Sequence, residues 1–120
     1  MNKKILEINN LSKHFENNGS KISVLNNINL KIETGKVIAI IGPSGSGKST
    51  FLHLISFLDI PSKGKIKILG KSITDLSDNE KNKLIREHIS IIFQNNNLLS
   101  DFTALENVAF PLIILSLIHI

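Results

Sequence analysis

The apolar, β-branched run VIAII at 37–41 gives way without transition to Gly42-Pro43-Ser44-Gly45-Ser46-Gly47-Lys48-Ser49-Thr50. Glycine, serine and proline bury little apolar surface, and glycine loses more backbone freedom on folding than any other residue. Such a segment weakens a fold unless its backbone geometry serves a purpose. After it, KSTFLHLISFL carries apolar side chains at 51, 52, 54, 55 and 58, a helical stripe that predicts a helix from about 48 to 58, ended by Pro61. The run before it has the character of a strand buried on both faces in a parallel sheet. Strand, glycine loop and helix follow one another in the order that a phosphate-binding loop requires.

Residues 42–49 satisfy G-x-x-x-x-G-K-[ST] in full. Without Cβ atoms at Gly42, Gly45 and Gly47 the backbone can curl until successive N–H groups converge on a phosphate. The helix behind adds its unpaired N-terminal donors and about half a positive charge. Lys48 would supply a full charge at the β- and γ-phosphates, and Ser49 a hydroxyl to Mg²⁺. Pro43, Ser44, Ser46 and Thr50 complete the candidate nucleotide contacts. The other glycine motifs fail here. A dinucleotide fingerprint would need a third glycine where Thr50 stands, and a nucleophile elbow around Ser44 would need glycine at Ser46.

A chain of 120 residues, 42% hydrophobic, fits one ordinary domain or a piece of a larger one. The formal charge of +4 permits an anionic partner, yet thirteen of the fourteen basic residues are lysines spread along the chain, so no nucleic acid is expected. The absence of cysteine excludes disulfides and thiolate sites. His14, His53, His88 and His119 show no paired metal spacing, and no protein-held metal is assigned. MNKKILEINN breaks off short of a signal peptide's apolar core, so the chain is expected to stay in the cytoplasm.

Short alternating stretches predict strands near 4–8, 22–25 and 27–32 in a small antiparallel sheet, and GKIKILG at 64–70 predicts another. Ser77 with Glu80 three places on is a capping box that opens a helix. ISIIF at 89–93 predicts a second buried strand, QNNN at 94–97 a loop, and Thr103 with Glu106 the cap of a further helix. Alternation of the 2 and 3.6 periods makes the class α/β.

The segments LSKHF, VLNNINLKI, GKVIAIIGPSGSGKST, GKIKILG and IIFQ, spread over nearly all of residues 4–115, resemble the ATP-binding subunits of ABC transporters. The resemblance implies a P-loop NTPase of the ABC ATPase type, with an N-terminal antiparallel β-subdomain and an incomplete, truncated parallel-sheet core. It makes residues 1–120 a partial nucleotide-binding domain; the resemblance fades near Leu115, and a tail at about 116–120 is expected to be foreign to the native sequence. ATP and Mg²⁺ are the implied cofactors. Phe15 matches the aromatic that stacks on adenine in these proteins, the alternative being a core phenylalanine. Gln94 matches the catalytic Q-loop glutamine, which with Ser49 senses Mg²⁺ and the attacking water; the alternative is a solvated loop residue. A transmembrane permease, a homodimer of nucleotide-binding subunits and a peripheral place on the cytoplasmic face of the inner membrane follow from the same resemblance.

LLSDFTALENVAFPL at 98–112 and HLISFLDIPSKGKI are most similar to the lipoprotein-releasing branch, and macrolide-efflux and cell-division ATPases share much of that pattern. The same residues also describe an ordinary capped helix. The L-S-G-G-Q signature, the Walker B strand and the switch histidine have no counterpart in these 120 residues. The chain by itself is therefore expected to bind ATP without hydrolysing it, and the runs at 37–41 and 89–93 to leave exposed edges.

Overall fold

The computed structural model describes residues 3–118, with side chains as far as Ile113. Two long strands, β1 (Lys4–Asn17) and β2 (Ser20–Glu33), form an antiparallel hairpin from Lys4↔Glu33 to Asn17↔Ser20. Asn18 and Gly19 join them with φ of 48° and 79°. Both central residues in the left-handed region make the tight turn whose twist suits a hairpin, and Asn-Gly is the pair that adopts it most readily.

The sequence predicts three shorter strands here, and the physical reason for the difference is local. The pairing shifts register between Ile8 and Leu11 and again before Lys13, and Asn10 and Asn27 take φ of 50° and 45°. These irregularities break the period-2 alternation without ending the ladder. Side chains satisfy the backbone there: Asn10 N–H donates to Asn29 Oδ1 and Asn27 N–H to Ser12 Oγ, each at 2.9 Å.

On the other edge of β1 lies β3 (Lys63–Ile68), antiparallel, followed by the two-residue β4 (Lys71–Ser72), giving the order β2-β1-β3-β4. At Gly64, φ is 95° and a Cβ would fall 2.6 Å from the Asn10 carbonyl carbon, so only glycine fits that crossing of β3 over the bulge. Helix α1 (Lys48–Ile55) contributes Phe51 and Leu54 to a core shared with Ile8, Leu11 and Ile66 of the sheet. Burying each such side chain stabilises the fold by about 1.5–3 kcal/mol. The helix is shorter than the stretch 48–58 expected, because Phe57 takes φ 61° directly after its C-cap, Ser56.

Helix α2 (Asp78–His88) adds Leu84 to the same core and starts on the expected capping box. Ser77 N–H donates to Glu80 Oε2 at 2.9 Å, and Glu80 N–H donates to Ser77 Oγ at 3.3 Å. The Ser77 N–H foremost, and the Ser77 hydroxyl, which donates to the same Glu80 oxygen at 2.9 Å, hold the Glu80 carboxyl below its ordinary range. Helix α3 (Ala104–Ile118) carries Pro111 inside it and opens on a second reciprocal pair, Thr103 with Glu106, at 3.2 Å in both directions.

One expectation is corrected. Neither 37–41 nor 89–93 forms a ladder among the described residues; the sheet is wholly antiparallel. Val37 is 99% exposed and Ile92 98%. A strand exists only through its pairing, and these two runs pair neither with each other nor with the hairpin. The Cα radius of gyration, 16.6 Å, accordingly exceeds the roughly 14 Å of a compact chain of this length. His119 and Ile120 lie outside the described residues, as does every side chain of the expected tail.

Candidate functional site

Of the three α-helices among the described residues, α1 alone starts without a side-chain cap. Its N-cap is Gly47, in the left-handed region at φ 94°, and its first turn holds no acidic residue. The first turn of a helix leaves backbone N–H groups without intrahelical partners. In α2 and α3 a carboxylate and a hydroxyl supply part of that demand; in α1 the donors of Lys48, Ser49 and Thr50 open onto a cleft of about 440 Å³, lined also by Ser44, Gly45, Gly47 and Val24. The left-handed turn at Gly45, φ 79°, and the one at Gly47 curl the loop around that space.

The loop is held from behind. A Cβ on Gly47 would stand 3.0 Å from Leu25 Cδ2 and 3.1 Å from Val24 Cγ1, and one on Gly42 would meet Ser46 Oγ at 2.8 Å. Gly42, Pro43 and Ser46 line a second hollow of about 370 Å³ together with Leu25, Ile28 and Phe51. The three donors of the Lys48 ammonium are all engaged: Gly42 O and Pro43 O accept at 2.7 Å each, and Ser46 Oγ at 3.3 Å. All three acceptors are neutral, and a phosphate oxygen in their place would set a full negative charge against the ammonium.

A third hollow, about 590 Å³, is bounded by Ser49, His53 and Ser56 of α1 and its C-cap, and by Ile91, Phe93 and Gln94 of the segment that follows α2. Ser49 therefore borders both the cradle and the space beside Gln94. The Ser49 hydroxyl and the Gln94 side-chain carbonyl are hard oxygen donors suited to Mg²⁺, which binds through few protein ligands, so the residues fit MgATP.

Phe15 lines none of these hollows. It is 43% exposed on β1, opposite Ile22, two residues along β2 from Val24, or about 7 Å at strand rise. Its exposure sets aside the alternative of a core phenylalanine. Lys13, on the same face of β1, holds its ammonium 5.0 Å from the Phe15 ring centroid. That ammonium donates to Asp59 Oδ1 at 3.0 Å and to Ile60 O at 2.8 Å, and the Lys13 side chain is only 12% exposed. The Lys13 hydrogen bond, foremost, holds the Asp59 carboxyl below its ordinary range. Sequence reasoning missed Lys13, Asp59 and Val24. The one signal available for Lys13 was its spacing of two from Phe15, which puts both side chains on one face of a strand.

The sequence profile of ABC transporters matches residues 25–118. The chain belongs to the ABC transporter family. It is 47% identical over 92% of its length to the lipoprotein-releasing system ATP-binding protein LolD of Wigglesworthia glossinidia brevipalpis, and 45% identical over 92% to that of Colwellia psychrerythraea. It is 44% identical over 91% to the macrolide export ATP-binding/permease protein MacB of Bdellovibrio bacteriovorus. It covers 48%, 43% and 17% of those proteins respectively, so the chain spans about half the length of the LolD relatives. Among solved structures it is similar to the dimeric ATP-binding cassette MJ0796 in a post-hydrolysis state bound to ADP and Pi, with a TM-score of 0.85 and 42% identity over 92% of this chain and 47% of that one. As an ABC transporter ATP-binding module it is α/β, and among the described residues no helix is long and apolar enough to cross a membrane.

Proposed function

We propose that the chain binds MgATP over residues 42–50 as the N-terminal part of a transport ATPase, and that the whole protein powers lipoprotein release from the inner membrane through a transmembrane permease. The observation that carries the reading is the position of Ser49, common to the wall of the glycine-loop cradle and to the hollow containing Gln94. Backbone N–H groups of the loop and of the first turn of α1 would hold the β-phosphate, and Lys48 would exchange its three neutral acceptors for the β- and γ-oxygens. Ser49 and Gln94 would hold Mg²⁺, with Gln94 also orienting water; Mg²⁺ when bound neutralises charge developing on the transferred phosphoryl group. Phe15 would cover the adenine. In the whole protein two nucleotide-binding subunits would pair, peripherally, on the cytoplasmic face of the membrane.

Identity of 47% and 45% to two LolD proteins supports the lipoprotein cargo, and 44% to MacB supports macrolide export as the second reading. The test is co-purification of the chain with each permease in detergent: retention on a lipoprotein-releasing permease alone is expected, and retention on a macrolide-export permease alone would move the cargo to the second reading. With no signature and no Walker B among its 120 residues, the chain alone should bind ATP and release no phosphate. Turnover well above that of Lys48→Ala would overturn this.

A further inference from the structure

The base end of the site has an anchor that the glycine loop does not explain. Lys13 is a long cation on an exposed hairpin, the kind of side chain that normally keeps its head in water. Here it is largely covered, its ammonium tied to Asp59 Oδ1 and Ile60 O in the connection between α1 and β3, forty-six and forty-seven residues away. The attachment continues along the strand: Ser62 N–H donates to Ser12 O at 2.9 Å, and His14 N–H donates to Ser62 Oγ at 3.1 Å. Residues 12–14 of β1 are thus strapped to residues 59–62. The same connection leaves α1, the helix that opens on the phosphate cradle, so the strap fixes the hairpin's tip region relative to that helix.

We propose that Lys13, anchored by Asp59, is a positioning residue for Phe15: it occupies one face of the ring and presents the other to a purine base. This deepens the MgATP reading and rests on it. The cation sits 5.0 Å from the ring centroid, within the range over which the ring quadrupole attracts it. A ring held on one face by a fixed charge loses its rotamer freedom before any ligand arrives, so stacking on the free face costs less ordering. With one face occupied, Phe15 accepts a single base and does not intercalate between two. Lys13 itself touches no nucleotide in this arrangement; it acts through the ring.

The test uses the 120-residue chain and two probes titrated calorimetrically, MgATP and magnesium tripolyphosphate, which lacks base and sugar. Lys13→Met should weaken MgATP by about fivefold while leaving tripolyphosphate within twofold of wild type. Lys13→Arg, which keeps a cation for the ring and donors for Asp59 and Ile60, should restore most of the ATP affinity. Equal weakening of both probes, or no weakening of either, would overturn the proposal. If Lys13→Met does not stay folded, Asp59→Asn decides the matter: selective loss for MgATP supports the positioning role, and an unchanged ratio of the two affinities sinks it. Phe15→Ala separates this inference from the reading beneath it. If Phe15→Ala leaves the ratio unchanged, adenine stacking itself is wrong; if it lowers the ratio while Lys13→Met and Asp59→Asn do not, only the positioning role is wrong.

Discussion

Gly47 and Val24 approach so closely that a Cβ on Gly47 would lie 3.1 Å from Val24 Cγ1 and 3.2 Å from the Val24 carbonyl oxygen, and Val24 would have to give by a few tenths of an ångström. With φ at 94°, any side chain there would also hold a strained backbone conformation. Gly47→Ala should therefore destabilise the chain by about 1–3 kcal/mol and shift the loop off the start of α1. Chemical denaturation of the two proteins checks this, and equal midpoints would contradict it.

Phe15 stands apart from the cradle on the hairpin, exposed and capped on one face by Lys13. Its replacement by alanine should weaken MgATP by about 1–3 kcal/mol, the range for losing an aromatic platform under a base. Tripolyphosphate should bind as before. Parallel losses would make Phe15 a structural residue of the hairpin.

Asp59 titrates below its ordinary value of 3.8 in the folded chain, chiefly because the Lys13 ammonium bonds its carboxylate, with the Ile60 N–H, at 2.7 Å, and the nearby His53 assisting. A carboxyl depressed on folding contributes stability that is complete above the unfolded value and disappears as pH falls through the folded one. Between about pH 5 and pH 3 the unfolded chain binds the extra proton, so stability should fall with acidification. Melting temperatures across that window should drop less steeply for Asp59→Asn than for the wild-type chain. Identical slopes would remove the ion pair from the account.

Much of the architecture was legible because it is written locally. The Ser77–Glu80 and Thr103–Glu106 pairs, each spaced by three, form the reciprocal caps their spacing predicts. The order loop-then-helix at 42–55 needs only near neighbours. The hairpin was harder: left-handed Asn10 and Asn27 interrupt the alternation of β1 and β2, so the pattern breaks where the pairing does not. The runs at 37–41 and 89–93 have every composition mark of strands, yet composition specifies a preference and a ladder requires a partner. Contacts made across long separations leave no periodic trace. The bond from Lys13 to Asp59 and the common wall of Ser49 and Gln94 became visible only once the chain was folded.

Lys48 ties its ammonium back to the loop it follows, with Gly42 O and Pro43 O each accepting from it at 2.7 Å. The decisive measurement is isothermal titration of MgATP into the wild-type chain and into Lys48→Ala. Saturable one-site binding to the wild type and its abolition in the variant are expected, since charge-assisted bonds to phosphate are about twice as strong as neutral ones and Lys48 is the one charged side chain in residues 42–50. An unchanged affinity in a folded Lys48→Ala chain would contradict the assignment of residues 42–50 as the phosphate cradle.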